Sequence, residues 1–172
     1  MVQNIEIFIG IAHIAGIFVG FGALISTTRQ DEVEFSQLIQ IRGVVTIGLT
    51  VIIAALLPIG FNLYGINGHI LWFLCSLVFL FLNWTVIILT LRNPKNRDLM
   101  ITQMRTNPVL TAFFALVLEV SLQVPLVLTL IGLFPDLEQA FYTTALLFNL
   151  FEAAFTLVQL VHSQGQRKKL SK

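Results

Sequence analysis

The sequence predicts an all-α integral membrane protein, a bundle of five transmembrane helices with the N-terminus outside and the C-terminus in the cytoplasm. Of its 172 residues, 56% are hydrophobic and only 11% are charged, whereas soluble domains carry about 25% charged residues. The apolar residues form five long runs, and the Lys and Arg residues lie in or beside alternate polar segments, namely the first loop, the third loop and the C-terminal segment. So few charges exclude an ordinary water-soluble domain, because they cannot cover a soluble surface.

The five apolar runs are long enough to cross a bilayer. A hydrocarbon core about 30 Å thick requires roughly 20 apolar residues in a helix. The whole chain is therefore predicted to be a single transmembrane domain. Its spans cover about residues 5–25, 39–59, 69–91, 109–133 and 137–161.

Three spans need a separate argument. The first has no basic region before it and no clear small-residue cleavage site after it, which favours a retained helix over a signal peptide. The second carries Arg42 near its start, but the following residues to Ile59 are apolar. The fourth and fifth are separated only by the turn at Phe134, Pro135 and Asp136, which predicts a tight antiparallel hairpin.

The positions of the basic residues predict the orientation. Lys and Arg are enriched in cytoplasmic segments. The N-terminus, the second loop and the fourth loop contain none, so these segments are expected outside and residues 162–172 form a basic cytoplasmic tail. The ten basic residues are Arg29 and Arg42 at the first loop, Arg92, Lys95, Arg97 and Arg105 at the third, and Arg167, Lys168, Lys169 and Lys172 at the end.

The fifth span contains a polar stripe. Its members are spaced alternately by four and three residues, which places them on one face of a helix. A stripe this polar is not expected to face lipid, since polar side chains at depth turn towards other helices or water. The stripe consists of Ala145, Asn149, Glu152, Thr156 and Gln159, and it extends outward to Tyr142 and Glu138.

The fourth span has a matching polar face. Ala115, Glu119 and Gln123 recur every four residues, and Pro125 is expected to kink the helix just beyond them. Glu119 and Glu152 each lie about half-way along their spans, so we expect them to meet. In the third span, Asn83 lies seven residues after Ser76, which places both on one helical face. The candidate ion- or substrate-binding residues are Glu152, Glu119, Asn149, Gln123, His13 and Asn83.

Two chemistries are open if His13 joins Glu119 and Glu152. Carboxylates and imidazole can relay protons or bind cations. One His with two carboxylates can also hold a transition metal, but the sequence has no His-x-x-x-His or Glu-x-x-His pair. The lone Cys75 supports neither a disulfide nor an all-cysteine metal site. No cofactor is predicted, and any metal is unknown.

Structural explanations compete with these. Each carboxyl group could be neutral and hydrogen-bonded to Asn149 or Gln123, joining two helices. The spacing of Gly16 and Gly20 is typical of close helix packing. Trp72 lies near the end of a span, where an interfacial anchor is the ordinary interpretation.

The function we expect is a small transporter or channel subunit that moves protons, ions or a small solute past the polar site on the fourth and fifth spans. One alternative is a non-transporting accessory or scaffold subunit of a larger membrane complex. Another is an intramembrane enzyme acting on a lipid or quinone through His13 and the two glutamates. Catalytic signatures are otherwise missing from the sequence, which argues against an enzyme.

The expected surroundings follow from the same features. The chain is expected in a lipid bilayer, without nucleic acid, as a homo-oligomer through Gly16 and Gly20 or beside a partner membrane subunit. Five helices around one small polar seam leave little room for a pore within one protomer. The absence of a targeting extension favours a bacterial plasma (inner) membrane.

Overall fold

The computed structural model describes residues 4–28, 35–94, 97 and 114–170. Within these residues every regular element is helical. The α-helices are α1 (Ile5–Thr28), α2 (Phe35–Leu63), α3 (His69–Arg92), α4 (Val120–Ile131) and α5 (Glu138–Leu170). A π-helix, Phe114–Glu119, directly precedes α4, and a 3-10 turn, Pro135–Leu137, precedes α5.

Four helices are long and apolar enough to cross a membrane. They contain the segments Ile5–Thr27, Leu38–Leu63, His69–Arg92 and Pro135–Val158. This confirms the all-helical prediction for the described residues, and the four apolar helices indicate a membrane protein. The apolar helix of the predicted fourth span, Val117–Ile131, is shorter. Because residues 109–113 lie outside the described part of the chain, a fifth crossing stays a prediction. The orientation of the chain in the membrane also stays a prediction.

Two helices extend further than the apolar runs. Helix α2 begins at Phe35 rather than at residue 39, and α5 continues to Leu170. The predicted basic tail at residues 162–172 is helical as far as Leu170, and its cytoplasmic location stays a prediction. Its Gln, Arg, Lys and Leu residues are good helix formers, so the helix persists after the apolar residues end.

The predicted hairpin between the fourth and fifth spans is confirmed. Helix α4 ends at Gly132, which has φ 69° in the left-handed region that favours glycine. The Gly132 N–H donates to the Thr129 carbonyl at 3.2 Å, and the Leu133 N–H donates to the Leu128 carbonyl at 3.4 Å. The turn Pro135–Leu137 then leads into α5, which packs against α4.

Helices α1 and α2 are in close contact at two glycines. A Cβ atom on Gly48 would lie 2.6 Å from Val19 Cγ2 and 3.3 Å from the Ala15 carbonyl oxygen. A Cβ on Gly22 would lie 2.8 Å from Val45 Cγ2. Both positions therefore require glycine for the backbones to approach this closely.

Gly16 and Gly20 do not form this contact, which corrects their expected role in packing within the chain. A Cβ on either would meet nothing within 4 Å. The inward face of α1 instead passes through Phe8, Ala15 and Gly22, which are buried at seven-residue intervals. Gly16 and Gly20 lie beside this stripe and remain uncovered by described residues.

Substituting Gly48 with alanine should destabilise the protein. The new methyl group must push α1 away from α2, and overpacking costs about 1–3 kcal/mol. At Gly60, also in α2, a Cβ meets nothing within 4 Å, so Gly60→Ala should gain about 0.5–1 kcal/mol from helix propensity. SDS titration of the detergent-solubilised variants measures both. Equal shifts of the unfolding midpoint would contradict the close contact.

An aromatic cluster (Phe8, Trp72, Phe79 and Tyr142) fills the interior near the start of α3 and α5. Ring centroids are 6.1 Å apart for Phe8 and Trp72, 5.7 Å for Trp72 and Tyr142, and 5.9 Å for Phe79 and Tyr142. The Tyr142 hydroxyl donates to the Ala54 carbonyl at 2.7 Å. Trp72 is only 7% exposed, so its interpretation as an interfacial anchor is wrong.

Candidate functional site

A cavity of about 510 Å³ lies between α2, α3, α5 and the segment that joins the π-helix to α4. We call the end of the bundle where α2 begins the Arg42 end, and the end where α3 begins the His69 end. Exposed lining residues lie near the Arg42 end (Arg42, Leu91 and Asn93) and further along α2 and α3 (Thr46 and Trp84), so the cavity is open along the side between α2 and α3 as well as towards the Arg42 end. The full lining is Ile39, Arg42, Gly43, Thr46, Ile47, Asn83, Trp84, Val86, Ile87, Thr90, Leu91, Asn93, Glu119, Gln123 and Glu152.

Four of the six residues that the sequence predicted share this cavity. They are Glu119, Gln123, Glu152 and Asn83, and they come from three separate helical segments. Glu119 and Glu152 thus meet across one space, as expected from their depth in the spans. Gln123 Nε2 donates to Glu119 Oε2 at 3.1 Å, so the amide orients one of the two carboxyl groups.

Glu152 is held differently from Glu119. Its side chain is half-buried and makes no hydrogen bond with a described residue. Its backbone carbonyl accepts a bond from the Thr156 hydroxyl at 2.9 Å, which ties that member of the stripe to its own helix. Of the two carboxyl groups, Glu152 is therefore the one that no described side chain orients.

Glu119 is the last residue of the π-helix Phe114–Glu119. A π-helical turn is wider than an α-helical turn and changes the direction of the side chains that follow it, and such turns are frequent at functional sites. Six residues later Pro125 lacks the N–H that would bond the Ser121 carbonyl. The carboxyl group thus lies in a stretch of irregular helix, as the proline suggested, although no signal in the sequence indicated the π-helix.

Arg42 belongs to the site, although sequence reasoning used it only to orient the chain. The lining residues of α2 are spaced by three, one, three and one, which is one face of a helix. That spacing was visible in the sequence, but the residues are mostly apolar and resembled an ordinary packing face. Arg42 adds one guanidinium to the two carboxyl groups, and Thr46 adds a hydroxyl. The α2 face consists of Ile39, Arg42, Gly43, Thr46 and Ile47.

Asn149 does not belong to the cavity lining. It is 1% exposed, and neither its Nδ2 nor its Oδ1 has a hydrogen-bond partner among the described residues. Asn83 Nδ2 and Ser76 Oγ are buried in the same way. Buried polar atoms in proteins are nearly always hydrogen-bonded, and of these three residues only Asn83 borders the cavity, where a bound molecule could supply the missing partner.

His13 does not join the two glutamates. It is exposed on α1 and is absent from the cavity lining. Among the described residues, no group of three His, Cys, Asp or Glu side chains is placed to hold a metal ion. The three-residue set considered for a metal, a proton relay or lipid chemistry is therefore not assembled, and the enzyme interpretation loses the arrangement on which it depended.

A second polar contact lies at the His69 end. His69 Nδ1 pairs with Glu138 Oε1, and the Glu138 side chain is only 2% exposed whereas that of His69 is 49% exposed. A Cβ on Gly132 would lie 3.0 Å from His69 Cε1, so the ring packs directly on the end of α4. Sequence reasoning placed Glu138 on the inward stripe but missed its partner. The available signal was that both residues begin helices at the same end.

No protein-family model, curated protein or solved structure matches this chain. Carboxylate oxygens accept protons and cations, and a space of this volume falls in the range of small-molecule sites, about 300–1,000 Å³. Its few polar groups among apolar walls are also typical of such sites.

Proposed function

We propose that the protein is a small membrane transporter and that the cavity is its substrate site. One observation carries this proposal: Glu119, Glu152 and Asn83, from three helical segments, face one space of about 510 Å³. Polar residues that only join helices are expected to bond one another across a closed contact. Polar residues at membrane depth that instead border an open space are typical of substrate pathways.

The volume favours a small solute over a bare ion. A proton or a metal ion requires a few ligands at close range, whereas this cavity has walls on four helical segments. Sites of this size in other proteins bury most of a small organic molecule. Movement of protons alone therefore explains less of the architecture than movement of a solute.

The positions of the cavity and of the aromatic cluster, towards opposite ends of the bundle, suggest one state of a transport cycle. With the orientation expected from the basic residues, the Arg42 end faces the cytoplasm. The cavity then opens inward, while the aromatic cluster occupies the interior on the outer side. Release to the outside would require α5 to move relative to α2, which breaks the hydrogen bond between Tyr142 and Ala54.

The test is solute flux in liposomes that contain the purified full-length chain. Uptake of radiolabelled tetraethylammonium, glycine betaine and acetate samples a cation, a zwitterion and an anion. We expect uptake of at least one above that of protein-free liposomes, and a loss of about tenfold or more in Glu152→Gln, which removes one of the two carboxyl groups that line the cavity. The matched control is Glu6→Gln, because Glu6 is exposed on α1 and lies outside the lining.

Two results would overturn this proposal. One is uptake no faster than in protein-free liposomes for all three solutes. The other is equal uptake by the original chain and Glu152→Gln, which would remove the assignment of that residue. Retained monodispersity in detergent establishes that the Glu152→Gln variant is folded.

A second candidate, a non-transporting subunit of a membrane complex, is favoured by the uncovered glycines of α1. A Cβ on Gly10, Gly16 or Gly20 meets nothing within 4 Å, and small residues on a membrane helix allow another helix to approach closely. Either a second copy or a different membrane subunit would fit that face. Co-purification with a partner, together with no uptake in liposomes, would support this candidate over the transporter.

A further inference from the structure

We infer that the cavity accepts an apolar organic cation, whose positive charge pairs with the carboxyl groups of Glu119 and Glu152 and whose apolar body contacts α2 and α3. The inference deepens the proposed transport function and rests on it for the direction of movement. The binding itself depends only on the described cavity, so it is tested separately below.

The apolar side chains that line the cavity favour a ligand with an apolar part. The α3 side presents Trp84, Ile87 and Leu91, spaced by three and four residues on one face of the helix. Ile39 and Ile47 face them from α2. Transfer of apolar ligand surface from water to such walls is favourable by about 25 cal/mol per Å². A small hydrophilic ion would gain nothing from these side chains.

The charged residues that line the cavity determine which sign of charge a ligand should carry. Two carboxyl groups and one guanidinium line the space, at Glu119, Glu152 and Arg42. Arg42 is exposed at the open end, where water and salt screen its charge. Both glutamates are half-buried, where charges interact more strongly. A cation therefore gains more from the carboxylates than it loses to Arg42, whereas an anion meets two negative groups.

Trp84 gives the cation a further contact. Its side chain belongs to the same lining as Glu119 and Glu152, and the face of an indole ring attracts organic cations. The contribution is about 0.5–2 kcal/mol, depending on how far the pair is removed from water. An aromatic ring, a carboxyl pair and aliphatic walls together match a cation with an apolar substituent.

The experiment compares three ligands that share one phenyl ring and differ in charge. They are benzyltrimethylammonium (a fixed cation), phenylalanine (a zwitterion) and phenylacetate (an anion). Binding is measured by calorimetry with the full-length chain in nanodiscs, and empty nanodiscs correct for partition into lipid. We expect benzyltrimethylammonium to bind at least about tenfold more tightly than phenylacetate, with phenylalanine between them. Tenfold corresponds to about 1.4 kcal/mol.

Substitutions identify the site. Glu152→Gln and Glu119→Gln should each weaken binding of benzyltrimethylammonium by about tenfold, whereas Glu6→Gln should not change it. The rank order of the three ligands in the original chain needs no variant, so it tests the inference even if a substitution prevents folding.

The failures of the two proposals are distinguishable. Tighter binding of phenylacetate or phenylalanine than of benzyltrimethylammonium overturns the ligand class, as does unchanged binding in both glutamate variants. If the cation binds as expected but no solute crosses the liposome membrane, the ligand class stands and the transport function fails. If glycine betaine or acetate is transported while the cation does not bind, transport stands and the ligand class fails.

Discussion

Tyr142→Ala is expected to lower the free energy of unfolding by about 3 kcal/mol. The side chain is fully buried and contacts Trp72 and Phe79 with ring centroids 5.7 and 5.9 Å away. Aromatic-to-alanine changes in cores cost about 3–5 kcal/mol. We expect a cost at the lower end of this range. An unfolded chain in detergent still keeps its apolar side chains out of water, so the cost comes mainly from lost packing.

Two variants separate the packing from the hydrogen bond. Tyr142→Phe keeps the ring and removes only the bond to the Ala54 carbonyl, so we expect a cost of about 0.6–1.7 kcal/mol, the range for side-chain bonds in membrane bundles. Tyr64→Ala, at an 87% exposed tyrosine, is the matched control and should change little. SDS titration followed by circular dichroism measures all three. A loss in Tyr142→Ala no larger than that in Tyr64→Ala would contradict the packed cluster.

The second large effect is expected for His69→Ala, at about 2 kcal/mol. The substitution leaves the Glu138 carboxyl group, only 2% exposed, without its partner, and an unsatisfied buried group costs about 1–3 kcal/mol. It also removes the ring that packs on Gly132. His13→Ala is the matched control, because His13 is exposed on α1 and surface changes stay within about 0.5 kcal/mol.

A double-variant cycle assigns this effect to the pair. In a Glu138→Gln background the buried carboxylate is gone, so His69→Ala should cost less than in the original chain. The difference between the two costs is the coupling energy, which for residues in contact is about 0.5–3 kcal/mol. The same SDS titration provides all four unfolding midpoints. Equal costs of His69→Ala in both backgrounds would show that the two residues are not energetically coupled.

The long helices could be predicted from the sequence because their signal is summed over many residues. About 20 apolar residues in a row leave few alternatives to a membrane helix, and α3 begins at His69, where the third apolar run begins. The ends of α2 and α5 were harder, since hydropathy falls where the lipid ends whereas helix propensity does not. The polar residues up to Leu170 therefore continue α5.

The residues that line the cavity were predictable where several polar positions repeat along one face. Glu119 and Gln123 recur at a spacing of four, and Glu152 belongs to a longer stripe, so both faces had to turn inward. His13 has no such repeat on α1, and it lies on the exposed side. A single polar residue does not determine a helical face, so the sequence could not decide whether His13 joins the glutamates.

Contacts between distant segments could not be predicted in this way. The pairing of His69 with Glu138 depends on how α3 and α5 pack, and hydropathy does not describe packing. The close contact of α1 and α2 likewise uses Gly22 and Gly48, although Gly16 and Gly20 have the more familiar spacing. Which glycine face is used depends on the shape of the partner helix, here on Val19 and Val45.

The depth at which the cavity places Glu152 also bears on the effect of the membrane potential. A charge that crosses the full membrane exchanges about 2.3 kcal/mol per 100 mV. In the proposed orientation, water that fills the cavity as far as Glu152 would carry the cytoplasmic potential to that depth. The voltage would then fall mainly across the part of the bundle packed around Tyr142. A cation bound at Glu152 would then still have to cross most of the transmembrane voltage to reach the outside. The step that opens the aromatic cluster, rather than entry into the cavity, would be the voltage-dependent one.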